Sequence, residues 1–134
     1  MDDYKRSAHA KYSLKVHIIF VTKYRKALFT NNNLSKEIKE YFYNAANKYE
    51  YIISEIETDK DHIHILLEYT PKDSISNIVK ILKQYTTYQM WKYHKEYLSE
   101  LYWNRKAIWS DGYFACSIGQ VSQETIKNYI RNQG

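Results

Sequence analysis

One cysteine, one proline and three glycines in 134 residues are unusually few, and each shortage removes a class of protein. The single thiol, Cys116, cannot close an internal disulfide, so a disulfide scaffold is excluded. Scarce glycine and proline leave no room for a flexible linker, a collagen-like tract or a phosphate-cradling P-loop, and nucleotide hydrolysis is not expected. No apolar run reaches the length of a membrane span, and Met1-Asp2-Asp3-Tyr4-Lys5-Arg6 lacks the apolar stretch of a signal peptide. The expectation is a cytoplasmic protein with no membrane partner.

What the chain does have is 44% apolar residues, enough to bury one core, so residues 1–134 are expected to form a single domain. Net charge is +5, and lysines and arginines are interleaved with 15 tyrosines. That mixture suits a polyanion whose bases stack on aromatic rings, although a solvated basic surface is the plainer account of the charge alone.

Leu14 to Val21 is an apolar run rich in β-branched residues, which predicts a central strand, followed by the basic loop Thr22-Lys23-Tyr24-Arg25-Lys26. Behind Asn31-Asn32-Asn33, the residues Leu34, Ile38, Tyr41, Phe42, Ala45 and Tyr49 recur at helical spacing. Tyr51 to Glu57 and His62 to Tyr69 predict a hairpin of two strands joined by the polar turn at Thr58 to Asp61. Asp73 or Ser74 caps a long second helix marked by Ile75, Ile78, Val79, Leu82, Tyr85 and Met90. Leu98 to Lys106 reads as irregular, Ile108 to Ile118 as a fourth strand with Phe114, Cys116 and Ile118 facing inward, and Ser122 as the cap of a final helix. The order is β-α-β-β-α-β plus a C-terminal helix: an α+β, ferredoxin-like split βαβ antiparallel sheet with helices on one face.

The third strand carries His62-Ile63-His64. Alternate residues of a strand share a face, with backbones about 7 Å apart, so the two imidazoles can grip one cation. Because Ile63, Ile65 and Leu67 belong under the helices, His62 and His64 are expected on the open face. Asp61 is a candidate to hold an imidazole tautomer from behind, or merely a turn residue. On the final helix Tyr129 and Gln133 are one turn apart and point at one target. Taken singly, a His-X-His pair is more often two satisfied polar residues, Tyr129 a boundary core residue and Gln133 a solvated side chain; the joint pattern is what raises them.

Asp61-His62-Ile63-His64-Ile65-Leu66, Gly112-Tyr113-Phe114, Ser117-Ile118-Gly119, Tyr129-Ile130-Arg131-Asn132-Gln133 and Val21-Thr22-Lys23-Tyr24-Arg25-Lys26 together resemble the single-tyrosine HUH transposases of insertion sequence 200/605 elements. The resemblance covers nearly the whole chain. It implies that His62, His64 and Gln133 are metal ligands for Mg²⁺ or Mn²⁺ and that Tyr129 is the nucleophile. Position 125 is Thr and position 133 is Gln, so the second tyrosine of the two-tyrosine relatives is absent.

The implied activity is cleavage and rejoining of single-stranded DNA at hairpin-marked ends through a 5′-phosphotyrosine. The implied assembly is a homodimer in which one subunit's tyrosine helix completes the other's histidine pair, with residues 118–134 as hinge and helix and Gly119 as a hinge or an ordinary turn glycine. Lys23, Tyr24, Arg25, Lys26, Lys80, Lys83 and Arg105 are candidate DNA contacts, as are Lys92 and Lys95. Two alternatives remain: a domesticated relative acting on chromosomal repeat palindromes, and a non-catalytic module binding single-stranded nucleic acid.

Overall fold

A β-branched apolar run and the alternating strand that pairs with it build the centre of the molecule. In the computed structural model, which describes residues 5–7, 10–12, 14–103, 105–116 and 130–133, β3 (Leu14–Val21) lies between β5 (His62–Tyr69) and β6 (Phe114–Cys116). The outer neighbour of β5 is β4 (Ile52–Asp59), giving the antiparallel order β4-β5-β3-β6. A small separate hairpin precedes it, β1 (Lys5–Ser7) with β2 (Ala10–Tyr12), which hydrophobic patterning did not signal.

Two helices cover one face of the sheet. The first, α1 (Asn32–Tyr49), is capped by Asn31, whose side chain accepts from the N–H groups of Asn33 and Leu34. Ser74 caps α2 (Ile75–Tyr102) by accepting from Asn77 N–H, deciding between the two expected caps. Val16, Ile18 and Phe20 of β3 and Ile63, Ile65 and Leu67 of β5 pack against Leu34, Ile38, Phe42, Ile78, Leu82 and Met90 of the helices. Truncating a fully buried ring such as Phe20 to Ala would cost about 3–5 kcal/mol. The split βαβ architecture is therefore present, with the alternation of β5 assigned to the expected faces.

Three local expectations are corrected. Residues 98–102 are helical, because Leu98 and Tyr102 are buried apolar positions that extend the inner stripe of α2. Among the described residues the fourth strand is Phe114–Cys116; the segment before it meets the end of β3 only at Thr22 and Trp109, where Ser110 N–H donates to Val21 O and Lys23 N–H to Ile108 O, and is held from the other side by α2. There Trp91 Nε1 donates to Ala107 O, Trp109 Nε1 donates to Thr86 Oγ1, and Lys83 Nζ donates to the carbonyls of Ser110, Asp111 and Gly112. Finally, Phe114 and Cys116 do not face the helices: they pair with Ile19 and His17, while Ala115 pairs with Ile18 and packs on the core. Ser117, Ile118, Gly119, Ser122 and Tyr129 lie outside the described residues.

Candidate active site

The register that puts Ile63 under the helices turns His62 and His64 to the opposite face, beside Val21 and Ile19 of β3. Their ring centroids are 4.8 Å apart with planes at 66°. His62 stands at the hairpin end of β5, where Asp59 and His62 face each other across the turn.

Asp61, in that turn, is buried. Its Oδ1 lies 2.9 Å from His62 Nδ1, and Arg25 Nε donates to its Oδ2 at 3.0 Å. Burial works against the carboxylate, but the hydrogen bonds from His62 and Arg25 outweigh it and hold Asp61 below the usual carboxylate range. An ionised carboxylate only accepts, so Nδ1 is the His62 nitrogen that donates to Asp61 and Nε2 is the one turned outward. Asp59 Oδ2 lies 4.0 Å from that nitrogen.

Arg25 reaches Asp61 from a tight turn, Lys23–Arg25, in which Tyr24 and Arg25 both take left-handed backbone angles, with φ of 59° and 53°. For non-glycine residues such angles cost of order 1 kcal/mol each, so the surrounding contacts must hold them. Thr22 does much of this, donating from its N–H and Oγ1 to Asp61 O and from Oγ1 to Lys26 O. The basic loop of the sequence is thus a built support for the histidine end of β5.

His64 meets a different neighbour. Its Nδ1 lies 3.3 Å from Nε2 of His17 on β3, and the two rings stack with centroids 5.4 Å apart. Burial, then the nearby His62 and His17, push His64 down to about 4 against the pull of Asp59, and burial also lowers His17, so both rings are neutral at pH 7. His17 was not singled out in the sequence. The available signal was a lone histidine in the otherwise apolar stretch Val16 to Val21, in phase with Ile19.

A cavity of about 330 Å³ opens beside His62, lined by Arg25, Lys60, Asp61, Ile130 and Arg131 among others. Residues 130–132 are helical, so part of the C-terminal segment borders the histidine end of the sheet. Gln133 is half-buried; its N–H donates to Ile130 O, and it makes no hydrogen bond to either histidine. Among the described residues no group of three His, Cys, Asp or Glu side chains could hold a metal.

The basic candidates separate. Lys80 and Arg105 are exposed. Lys83 is committed to its three carbonyls and sits over the Phe20 ring, and Lys23 pairs with Asp111 and lies over Tyr24. Tyr24 is exposed and packs on Tyr102 and Trp103, while Lys26 is half-buried. Lys92, Lys95 and Lys106 line a second cavity of about 720 Å³ with Tyr88 and Trp91, between α2 and residues 106–111. No helix among the described residues is long and apolar enough to cross a membrane.

The split βαβ sheet with helices on one face is a fold shared with solved transposases. A protein of Deinococcus radiodurans R1 assigned as a transposase superposes with a TM-score of 0.86 at 25% identity over 96% of each chain. A REP-associated tyrosine transposase superposes with a TM-score of 0.56 at 11% identity, over 93% of this chain and 68% of that one, and so shares the fold. The model of the family described as "Transposase IS200 like" matches residues 10–133, and the transposase of insertion sequence element IS200 from Salmonella typhimurium is 31% identical over 99% of this chain and 85% of its own length. The chain belongs to the IS200-like transposase family, and with it to the DNA-processing enzymes.

Proposed function

We propose that the chain cleaves and rejoins single-stranded DNA at hairpin-marked element ends by attack of Tyr129 on a phosphodiester. The observation that carries this reading is the clamp of Arg25 and Asp61 on His62, which leaves Nε2 as the coordinating nitrogen beside a cavity flanked by Lys60 and Arg131. Such a site suits a phosphate approaching a cation.

Mg²⁺ or Mn²⁺ fits the donor set of His62, His64 and the Gln133 amide, with Mn²⁺ the more tolerant of nitrogen. When bound, it supplies Lewis-acid polarisation of the scissile phosphate. Arg25, Lys60 and Arg131 draw the phosphate in by charge, and Asp61 keeps the His62 ring in the coordinating tautomer. The Tyr129 oxygen forms a bond to phosphorus as the bond to the 3′ oxygen breaks; the phenol proton is lost and the departing oxygen gains one. A 5′-phosphotyrosine and a 3′-hydroxyl result. The aryl ester retains the bond energy, so a second 3′-hydroxyl displaces Tyr129 and restores the phenol without ATP.

Lys80, Lys92, Lys95, Arg105 and Lys106 are proposed to carry the DNA backbone, with salt-sensitive affinity. A hairpin ligand is favoured by the fold neighbour solved with a REP hairpin. A homodimer belongs to the same proposal, and the position of Ile130 and Arg131 beside His62 of their own chain supports a site that can also be completed within one subunit.

The test is incubation with end-labelled single-stranded hairpin DNA and Mn²⁺, comparing wild type with Tyr129→Phe on a denaturing gel. Wild type should give a covalent protein–DNA band that Phe abolishes while binding persists and that EDTA prevents. Equal bands from both proteins would exclude Tyr129 as the nucleophile; binding with no covalent product under any condition would favour a non-catalytic module.

A further inference from the structure

We infer that His17 is a positioning residue for the histidine pair: it accepts a hydrogen bond from His64 Nδ1–H and so keeps His64 Nε2 free to coordinate. The inference rests on the metal-site reading above and assigns a role to a residue outside the ligand set.

A neutral imidazole carries one N–H and one lone pair. The 3.3 Å contact between His17 Nε2 and His64 Nδ1 therefore holds one proton, in one of two ways. With the proton on His17, His64 must carry its own on Nε2 and has no lone pair to offer outward. With the proton on His64 Nδ1, its Nε2 is a donor to metal. For His62 the matching choice is imposed by a carboxylate, because Asp61 can only accept. Among the described residues His64 makes no such contact with a carboxylate, and the ring facing its Nδ1 is His17.

The sheet builds this contact. Ile19 is directly opposite His64, and His17 lies two residues along β3 on the same face, the diagonal position that long and aromatic side chains span. The near-parallel stack, at 24°, fixes the edge-on approach of the two nitrogens. On the far side His17 is paired in register with Cys116 of β6, so its backbone is held from both flanks. A flexible surface histidine could not set a tautomer; one anchored in a central strand can.

Two substitutions separate this role from simple packing. His17→Gln keeps an acceptor and loses the ring, whereas His17→Phe keeps the ring and loses the acceptor. Mn²⁺ affinity is measured by calorimetry on the full chain, and the His64 tautomer by ¹⁵N long-range correlation NMR on metal-free protein. Expected are a proton on His64 Nδ1 in wild type and His17→Gln, near-wild-type Mn²⁺ binding by Gln, and roughly 10-fold weaker binding by Phe, with the His64 proton moving to Nε2. The inference is overturned if wild-type His64 carries its proton on Nε2, or if Phe binds Mn²⁺ like wild type and Gln does not, which is the signature of packing alone. Absence of Mn²⁺ binding by wild type would overturn the metal site and this inference together, whereas a wrong tautomer with normal binding removes only the inference.

Discussion

His62 and His64 are two residues apart on one strand and look alike in the sequence, yet their second nitrogens rest on different chemistry. At the turn end, His62 leans on a buried carboxylate that is itself gripped by Arg25. In mid-strand, His64 leans on the neutral ring of His17. A carboxylate can only accept, while an imidazole can accept or donate, so the two supports act through different chemistry. One histidine is held by electrostatics and the other by register. Lys80 and Lys83 repeat the contrast on α2: one is exposed, and the other closes the segment before β6 by donating to three carbonyls.

The largest effect should come from the charged side. Asp61→Asn retains the shape but lets the amide present either a donor or an acceptor, and Mn²⁺ affinity should fall by about 10–100-fold, by calorimetry. A smaller loss than that of His17→Phe would reverse the ranking of the two supports. Next, Lys83→Met removes the charged donor shared by Ser110, Asp111 and Gly112. It should destabilise the fold by about 2 kcal/mol in urea unfolding, with little change in DNA affinity. An unchanged midpoint with weakened DNA binding would return Lys83 to the DNA surface.

Acid distinguishes the histidines further. His64 is pushed from 6.5 down to about 4, first by burial, so between these values the unfolded chain binds a proton that the folded chain refuses. Stability of the metal-free protein should therefore be full above about pH 6.5 and decline as pH falls toward 4. His64→Gln should flatten that decline in urea midpoints at pH 7, 5.5 and 4.5; parallel declines would mean that other groups set it. The smallest effect is expected at Lys80. Lys80→Ala should leave stability unchanged and lower the slope of log affinity against log salt by about 1 if it meets a phosphate. No change in slope would remove Lys80 from the interface.

Much of the fold was legible because it rests on local periodicity. Two-residue alternation in His62 to Tyr69 assigned its faces, and helical spacing from Leu34 to Tyr49 located α1 behind its asparagine cap. Asp61 was legible as a support for an imidazole through adjacency alone. The errors fall where partners are distant. Ile108 to Ile118 has strand composition, but its first half lies between the end of β3 and the Thr86 and Lys83 side chains of α2, and the register with β3 places Phe114 and Cys116 on the histidine face. His17 was missed for the same reason, since nothing near it in the chain marks its neighbour.

By itself the sequence determined which residue types share a strand face and which turn residue adjoins His62, because backbone geometry repeats every two residues regardless of context. Only the tertiary structure decided that His17 meets His64 across 47 positions, that Arg25 reaches Asp61 across 36, and that Lys83 is spent on carbonyls. Those contacts depend on strand register and helix docking, which the packing of the whole core selects and no short stretch of chain encodes.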